Sequence, residues 1–316
     1  MRLTVAILLT AAAPALAQPW PAKPVRLVIP YAPGGPVDIT GRLTAQKLGE
    51  ILGQQIVVDN RAGANGNIAV ELVARSPADG YTLLMGANGP IAINPSLYAK
   101  LPVDPVRDLA PVSMVASSPM ILVTHPSLPA RSVQELVALA KARPGAINFA
   151  SSGSGSTAHL SGELFRSMAG VSLVHVPYKG AGPALTDLVA GQTQVMFTGV
   201  SSTLPYVKAQ RLRALGVSSG MRLAILPDVP TIGESVRGYE VLTWYGVFAP
   251  TGTPAAVVDT AQKAVAASFA TPDARERLAA LGADPNTLPG AEFAKMIRIE
   301  VDKWSRVVRE SGARPE

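Results

Sequence analysis

The sequence of 316 residues contains no cysteine, which removes disulfides, thiolate nucleophiles and thiolate metal sites at once. It has three histidines, His125, His159 and His175. None shows the H-x-E or H-x-x-x-H spacing that a metal site uses, so neither a metal nor a cofactor is expected. Aromatic residues make up 5 % of the chain, and a large flat ligand would find little stacking surface beyond Tyr31, Tyr178 and Trp244. No Lys/Arg block interleaves with aromatics, which argues against nucleic acid as a partner. Beyond the first residues no apolar run is long enough to span a membrane.

The chain opens with Arg2, an uncharged run over residues 3–16, and Ala15-Leu16-Ala17. A basic residue, a short apolar stretch and a small-x-small ending define a secretory signal peptide, residues 1–17, cleaved after Ala17. The rest then works in an exported compartment. Taking 17 residues from 316 leaves 299, enough for about two domains at roughly 150 residues each. Without Arg2 the 28 Lys+Arg become 27 against 22 Asp+Glu, a net charge of +5. Such a mild field favours an anionic ligand or simply keeps the surface soluble.

Short Val/Ile/Leu runs alternate with amphipathic stretches, the pattern of an α/β architecture with mostly parallel strands. Strands are expected at 25–30, 56–60, 82–86, 121–124, 147–150, 172–176, 195–197, 213–217 and 246–249. Helices are expected at 38–52, 67–75, 133–143, 157–168, 183–190, 254–271, 272–281 and 290–311. The layout of strand, Gly/Pro/Ser turn and helix over 25–48 recurs over 147–168. Each half therefore offers a helix N-terminus at the carboxyl end of a strand, where open α/β sheets bind ligands. Two crossover segments, 117–126 and 241–250, divide the chain into a discontinuous domain (18–121 with 246–316) and an inserted one (122–245). Paired connections of this kind suit a hinge.

The strongest local motif is Pro33-Gly34-Gly35-Pro36-Val37-Asp38. Two glycines let backbone N–H groups turn toward a ligand, and a helix starting near Asp38 adds unpaired N–H groups and the positive end of its dipole. Asp38 is either the N-cap or the holder of a bound water. A tight capped turn without any ligand would have the same sequence. The second motif is Ser151-Ser152-Gly153-Ser154-Gly155-Ser156-Thr157-Ala158-His159, whose hydroxyls and amides suit a carboxylate or an amide oxygen. It also fits G-x-G-x-x-A, but the strand that should supply the ribose-binding acid ends in Pro177-Tyr178. Gly216-Val217-Ser218-Ser219-Gly220 fits the nucleophile elbow, yet all three histidines precede it. Lys179 could pair with an anion, and Tyr178 could cover an organic ligand while donating a hydrogen bond. His159, in the first turn of a helix, reads as a buried or capping residue.

In order along the chain, Pro33-Gly34-Gly35-x-x-Asp38, Val58-x-Asn60-Arg61-x-Gly63-Ala64, Asp79-Gly80-Tyr81-Thr82-Leu83, Asn94-Pro95-x-Leu97-Tyr98, Val176-Pro177-Tyr178-Lys179-Gly180 and Trp244-x-Gly246 resemble the Bug-type solute receptors of tripartite tricarboxylate transporters. The resemblance covers essentially all of the chain after the signal peptide. It implies a two-lobed periplasmic-binding-protein fold of type II, with two mixed sheets flanked by helices and a ligand cleft between the lobes. It also implies a periplasmic binding protein, not an enzyme. By similarity Tyr31, Ala32, Gly34 and Gly35 with Asp38 hold a carboxylate, partly through ordered waters. Ser151, Ser152, Gly153, Ser156 and Thr157 with Tyr178 contact the rest of the ligand, while Asn88 and Thr198 line the cleft. Family members often carry an acid or amide where this chain has Thr198. The implied ligand is a di- or tricarboxylate, an acidic amino acid or an aromatic acid, delivered by a monomer to membrane permease subunits. Two other readings stay open: an exported hydrolase of a small ester or amide using Ser152, Ser154 or Ser156 near His159, and a sensory subunit for a signalling partner.

Overall fold

The structure is a computed structural model that describes residues 20–315. The proposed signal peptide, 1–17, lies outside the described residues. The first third of the chain forms β1 (Val25–Ile29), α1 (Pro36–Leu52), β2 (Ile56–Asn60), α2 (Asn67–Ala74) and β3 (Thr82–Ala87). A π-turn at Gly89–Ile93 leads into α3 (Asn94–Leu97) and α4 (Pro105–Asp108), followed by the long β4 (Leu109–Thr124). Next come α5 (Val133–Ala142), β5 (Asn148–Ser151), α6 (Thr157–Ala169), β6 (Val174–Pro177), α7 (Ala181–Val189), β7 (Val195–Gly199), α8 (Val200–Lys208) and β8 (Arg213–Val217). The chain ends with β9 (Leu242–Pro250), α9 (Ala255–Ala270), α10 (Pro272–Ala280), the two-residue β10 (Asp284–Pro285) and α11 (Gly290–Ser311).

The strands lie in the order β2-β1-β3-β9-β4-β7-β5-β6, with β8 and β10 also paired to β4. Read from its outer edges inward, the sheet repeats one layout: β2-β1-β3-β9 in one lobe and β6-β5-β7-β4 in the other. Within each lobe β1 pairs in parallel with β2 and β3, and β5 with β6 and β7. The expectation of mostly parallel strands is corrected at the centre, where β4 and β9 run antiparallel to each other and to their neighbours. The chain must leave the first lobe and return to it, so the outgoing and returning strands lie side by side in opposite directions.

β4 has 16 residues, far more than the 121–124 expected, because Pro111 and Pro119 interrupt its apolar pattern. Proline cannot donate to a ladder and sits at irregular strand positions. Here Pro111 flanks a register shift, and Pro119 is the last residue opposite β9 before Met120 takes Gly199 of β7 as its partner. Ser218 clamps this changeover. Its hydroxyl accepts the Met120 N–H at 2.7 Å and donates to the Val241 carbonyl, and the residue is fully buried. The serine of the G-x-S-x-G motif is therefore structural.

Helices cover both faces of the sheet. α1 and α9 pack together on the first lobe, α7 and α8 on the second. The long α11 carries Phe293, Ile297, Trp304 and Val308 along one face, none more than 6 % exposed, the spacing of an amphipathic helix. Burying each such side chain contributes about 1.5–3 kcal/mol. This face meets α3 and β4 but also α6, so the C-terminal helix bridges the lobes.

Candidate functional site

Among the described residues, four helices begin at the seam between the lobes. α1 follows Gly35, α6 follows its Ser156 cap, α7 follows Gly180 and α8 follows Gly199. Each succeeds the carboxyl end of a strand, as α/β winding dictates. Where they converge lies a cavity of about 40 Å³, bordered by Gly35, Val37, Thr157, Ala181, Thr198 and Tyr245 among others. Its described border includes no charged side chain. The positive character of the site comes from first-turn N–H groups and the aligned helix dipoles.

Thr157, Thr198 and Tyr245 are 7 %, 2 % and 1 % exposed, and their hydroxyls have no hydrogen-bond partner among the described residues. These groups therefore form a polar set that an occupant of the cavity can satisfy. Burial holds the Tyr245 phenol well above its ordinary range, so it remains a donor near neutral pH.

A wider cavity of about 370 Å³ adjoins the first, sharing Tyr31 and Ser152 and bordered also by Gly153, Tyr178 and Lys179. Tyr31 donates to Asn65 Oδ1 at 2.9 Å, Asn65 Nδ2 to Asn94 Oδ1 at 2.7 Å, and Asn94 Nδ2 to Asn67 Oδ1 at 2.6 Å. This amide chain fixes a turn in which Ala64 and Asn65 hold φ of 46° and 47°, a region costly for residues with a Cβ. At the seam the backbones of the two lobes touch. A Cβ on Gly182 would stand 2.1 Å from the Pro33 carbonyl oxygen, and Ala32 N donates to Lys179 O at 3.4 Å.

Of the residues singled out in the sequence, the structure brings Tyr31, Gly35, Ser152, Thr157 and Thr198 to the small cavity, and Gly153 and Tyr178 to its neighbour. Ser154 and Lys179 also border that neighbour, Ala32 and Gly34 lie at the seam between the lobes, and Asp38, Asn88, Ser151 and Ser156 are buried behind the walls. Asp38 is the third residue of α1 and not its N-cap, because the helix starts at Pro36, whose fixed φ suits a first turn. Its buried carboxylate accepts from Gly34 N (3.0 Å), Arg42 Nε (3.0 Å) and Asn60 Nδ2 (2.9 Å). Burial opposes the charge, but these bonds and the Arg42 guanidinium hold the carboxyl below its usual range. The Gly34 N–H is thus committed to Asp38, with Gly34 at φ 85°, which glycine adopts freely.

Asn88 is fully buried in the joint between β3, β9 and α11. Its Oδ1 accepts from Trp244 N at 2.8 Å and its Nδ2 donates to Glu300 at 2.8 Å. Tyr178 spends its hydroxyl on Asp187 at 2.7 Å, and burial, then that carboxylate, push the phenol up to about 12. Ser156 caps α6 by accepting from His159 N at 3.1 Å. His159 Nδ1 accepts from Gly155 N at 2.9 Å, so it is not placed as a base for Ser152, Ser154 or Ser156.

Tyr245 escaped the sequence reading, although it lies between Trp244 and Gly246. Side chains alternate along a strand, and with Trp244 buried in one core cluster, Tyr245 faces the other. Gly199 was missed with α8, whose internal Pro205 hides the helix.

Fold and cleft together define a two-lobed solute-binding protein of the periplasmic binding class. The chain belongs to the tripartite tricarboxylate transporter family receptors, whose family model matches residues 40–313. BugT of Bordetella pertussis is 38 % identical over 307 residues, 96 % of this chain and 94 % of the relative. An R. palustris protein solved with adipate has a TM-score of 0.92 at 38 % identity, covering 94 % of this chain and 100 % of that one. MatC from Rhodopseudomonas palustris, solved with bound malate, has a TM-score of 0.87 at 32 % identity, covering 92 % and 100 %. Receptors of this family bind small carboxylates for tripartite transporters and are not enzymes. The hydrolase reading is set aside on both grounds, the family and the committed His159.

Proposed function

We propose that the mature receptor captures a small aliphatic dicarboxylate between its lobes and hands it to the membrane permease subunits of a tripartite transporter. The observation that carries this reading is the set of unpartnered hydroxyls of Thr157, Thr198 and Tyr245 in a charge-free cavity at four helix N-termini. N–H groups and hydroxyls can satisfy a carboxylate without a paired arginine. The remaining wall includes Val37, Ala87, Met120 and Ala158, which suits a methylene chain. The adipate and malate of the structural relatives are acids of this kind. Residues 1–17 are removed on export, and the protein acts in the periplasm as a monomer. The partner change along β4 supports a hinge at Pro119/Met120, with its return at Val241/Leu242.

A thermal-shift panel of adipate, succinate, malate, citrate, glutamate and benzoate tests this. Ligand at 100 times its Kd adds about 2.7 kcal/mol of stability, roughly 5 °C in Tm for a chain of this size. The linear diacids are expected to give the largest shifts. No shift with any acid would contradict the reading, and a larger shift with glutamate or benzoate would replace the ligand class.

A further inference from the structure

Two histidines remain outside the site described above, yet their rings stack directly behind the cleft wall. The His159 and His175 centroids are 3.9 Å apart and the planes differ by 9°. Each ring is fastened to the 151–157 loop. Gly155 N donates to His159 Nδ1 at 2.9 Å, and Ser151 Oγ lies 2.6 Å from His175 Nε2. An imidazole nitrogen accepts only when it carries no proton. His159 Nδ1 is therefore bare, and the neutral ring keeps its proton on Nε2, 3.6 Å from Glu163 Oε1. Ser151 Oγ accepts the Gly153 N–H at 3.1 Å. Its own hydrogen then goes to His175 Nε2, nearer than the Gly153 carbonyl at 3.2 Å.

We infer that His159 and His175 are positioning residues that hold the 151–157 loop at the ligand cleft, each through a ring nitrogen that accepts a hydrogen bond from the loop. The inference rests on the reading that Ser152 and Thr157 of this loop face the ligand. Loss of the His159 Nδ1 acceptor would release Gly155. Gly155 is wedged against the other lobe: a Cβ there would stand 2.0 Å from Leu97, 3.2 Å from Asn65 and 3.3 Å from Asn94. Displacing it would move Thr157 and disturb the contact between lobes together.

The charges acting on the pair come from one helix. On α6, Glu163 faces His159, and Arg166 binds Glu163 at 2.7 and 2.9 Å. From β5 comes the uncharged ring of Phe149, 4.9 Å from His175 between centroids. Burial, followed by the neighbouring His159, pushes His175 down to about 3. It stays neutral where histidines ordinarily titrate, and its acceptor to Ser151 is preserved.

Hydrogen exchange on the mature protein without added ligand, at pH 8 and corrected for intrinsic rates, is the test. His159→Asn places an amide oxygen where Nδ1 stands, so protection of the 151–157 segment should stay close to that of the wild type. His159→Leu offers Gly155 no acceptor and should lose protection of that segment at least tenfold, with β7 unchanged. Calorimetry with adipate should follow the same pattern, the affinity falling about tenfold in H159L and little in H159N. Wild-type protection of the segment in H159L, or an equal loss in H159N and H159L, would overturn the inference. Failure of adipate to bind the wild type would count against the dicarboxylate reading, and the exchange data would still decide the role of the histidines.

Discussion

Tyr245 carries a hydroxyl that packing alone does not require. Tyr245→Phe keeps the ring and removes the hydroxyl that opens onto the cavity, so the stability of the unliganded protein to urea should change by less than about 1 kcal/mol. Adipate should bind about tenfold more weakly, the loss of one hydrogen bond of roughly 1.4 kcal/mol. Equal affinity in calorimetry would remove Tyr245 from the site. Asp38 makes the opposite case, a buried carboxylate whose partners are all within the fold. Its pKa is held below 3.8, so its stabilising effect is fully present above that value and is lost as pH falls through the lower folded one. Asp38→Asn should therefore cost about 2 kcal/mol at pH 7 and progressively less toward pH 3, as urea titrations would report. The motif around Asp38 was visible in the sequence, but its role was not. A carboxylate beside a glycine turn reads the same whether it faces a ligand or fastens the turn, and only the placement of Arg42 and Asn60 separates the two.

At the scale of elements, the seam depends on backbones that touch. Gly182, in the first turn of α7, has room for a Cβ within its own lobe's helix but not against Pro33 O at 2.1 Å. Gly182→Ala should leave the Tm of the unliganded protein within about 2 °C, since alanine favours a helix by up to about 1 kcal/mol, while adipate affinity drops at least tenfold because the lobes cannot meet. A normal Kd would show that this contact is dispensable. Elements with clean periodicity were legible to the residue: β2, β8 and α11 lie where the sequence puts them. Those with proline inside were not. Pro111 and Pro119 concealed most of β4, and Pro205 concealed α8 and with it the fourth helix N-terminus of the site. In each case the element continues through the proline because of its neighbours in the fold, β9 and β7 beside β4 and the packing of α8, which a local pattern cannot show.

For the whole molecule, the pairing of β4 with β9 and the reach of α11 to both lobes are connections that a closing motion would have to bend or slide. Opening would part α1 from α7 at the seam and leave the Ser218 clamp between Met120 and Val241 as a pivot. Ligand then favours the closed form by its contacts to both lobes at once. The central claim is that one carboxylate is seated at the convergent helix N-termini without any charged partner. A crystal structure of the mature protein grown with adipate tests it most directly. The expected result is a carboxylate with oxygens about 3 Å from the Tyr245 hydroxyl and the first-turn N–H groups of α6 or α8. Adipate bound outside the cleft, or held there by the side chain of an arginine or lysine, would contradict it.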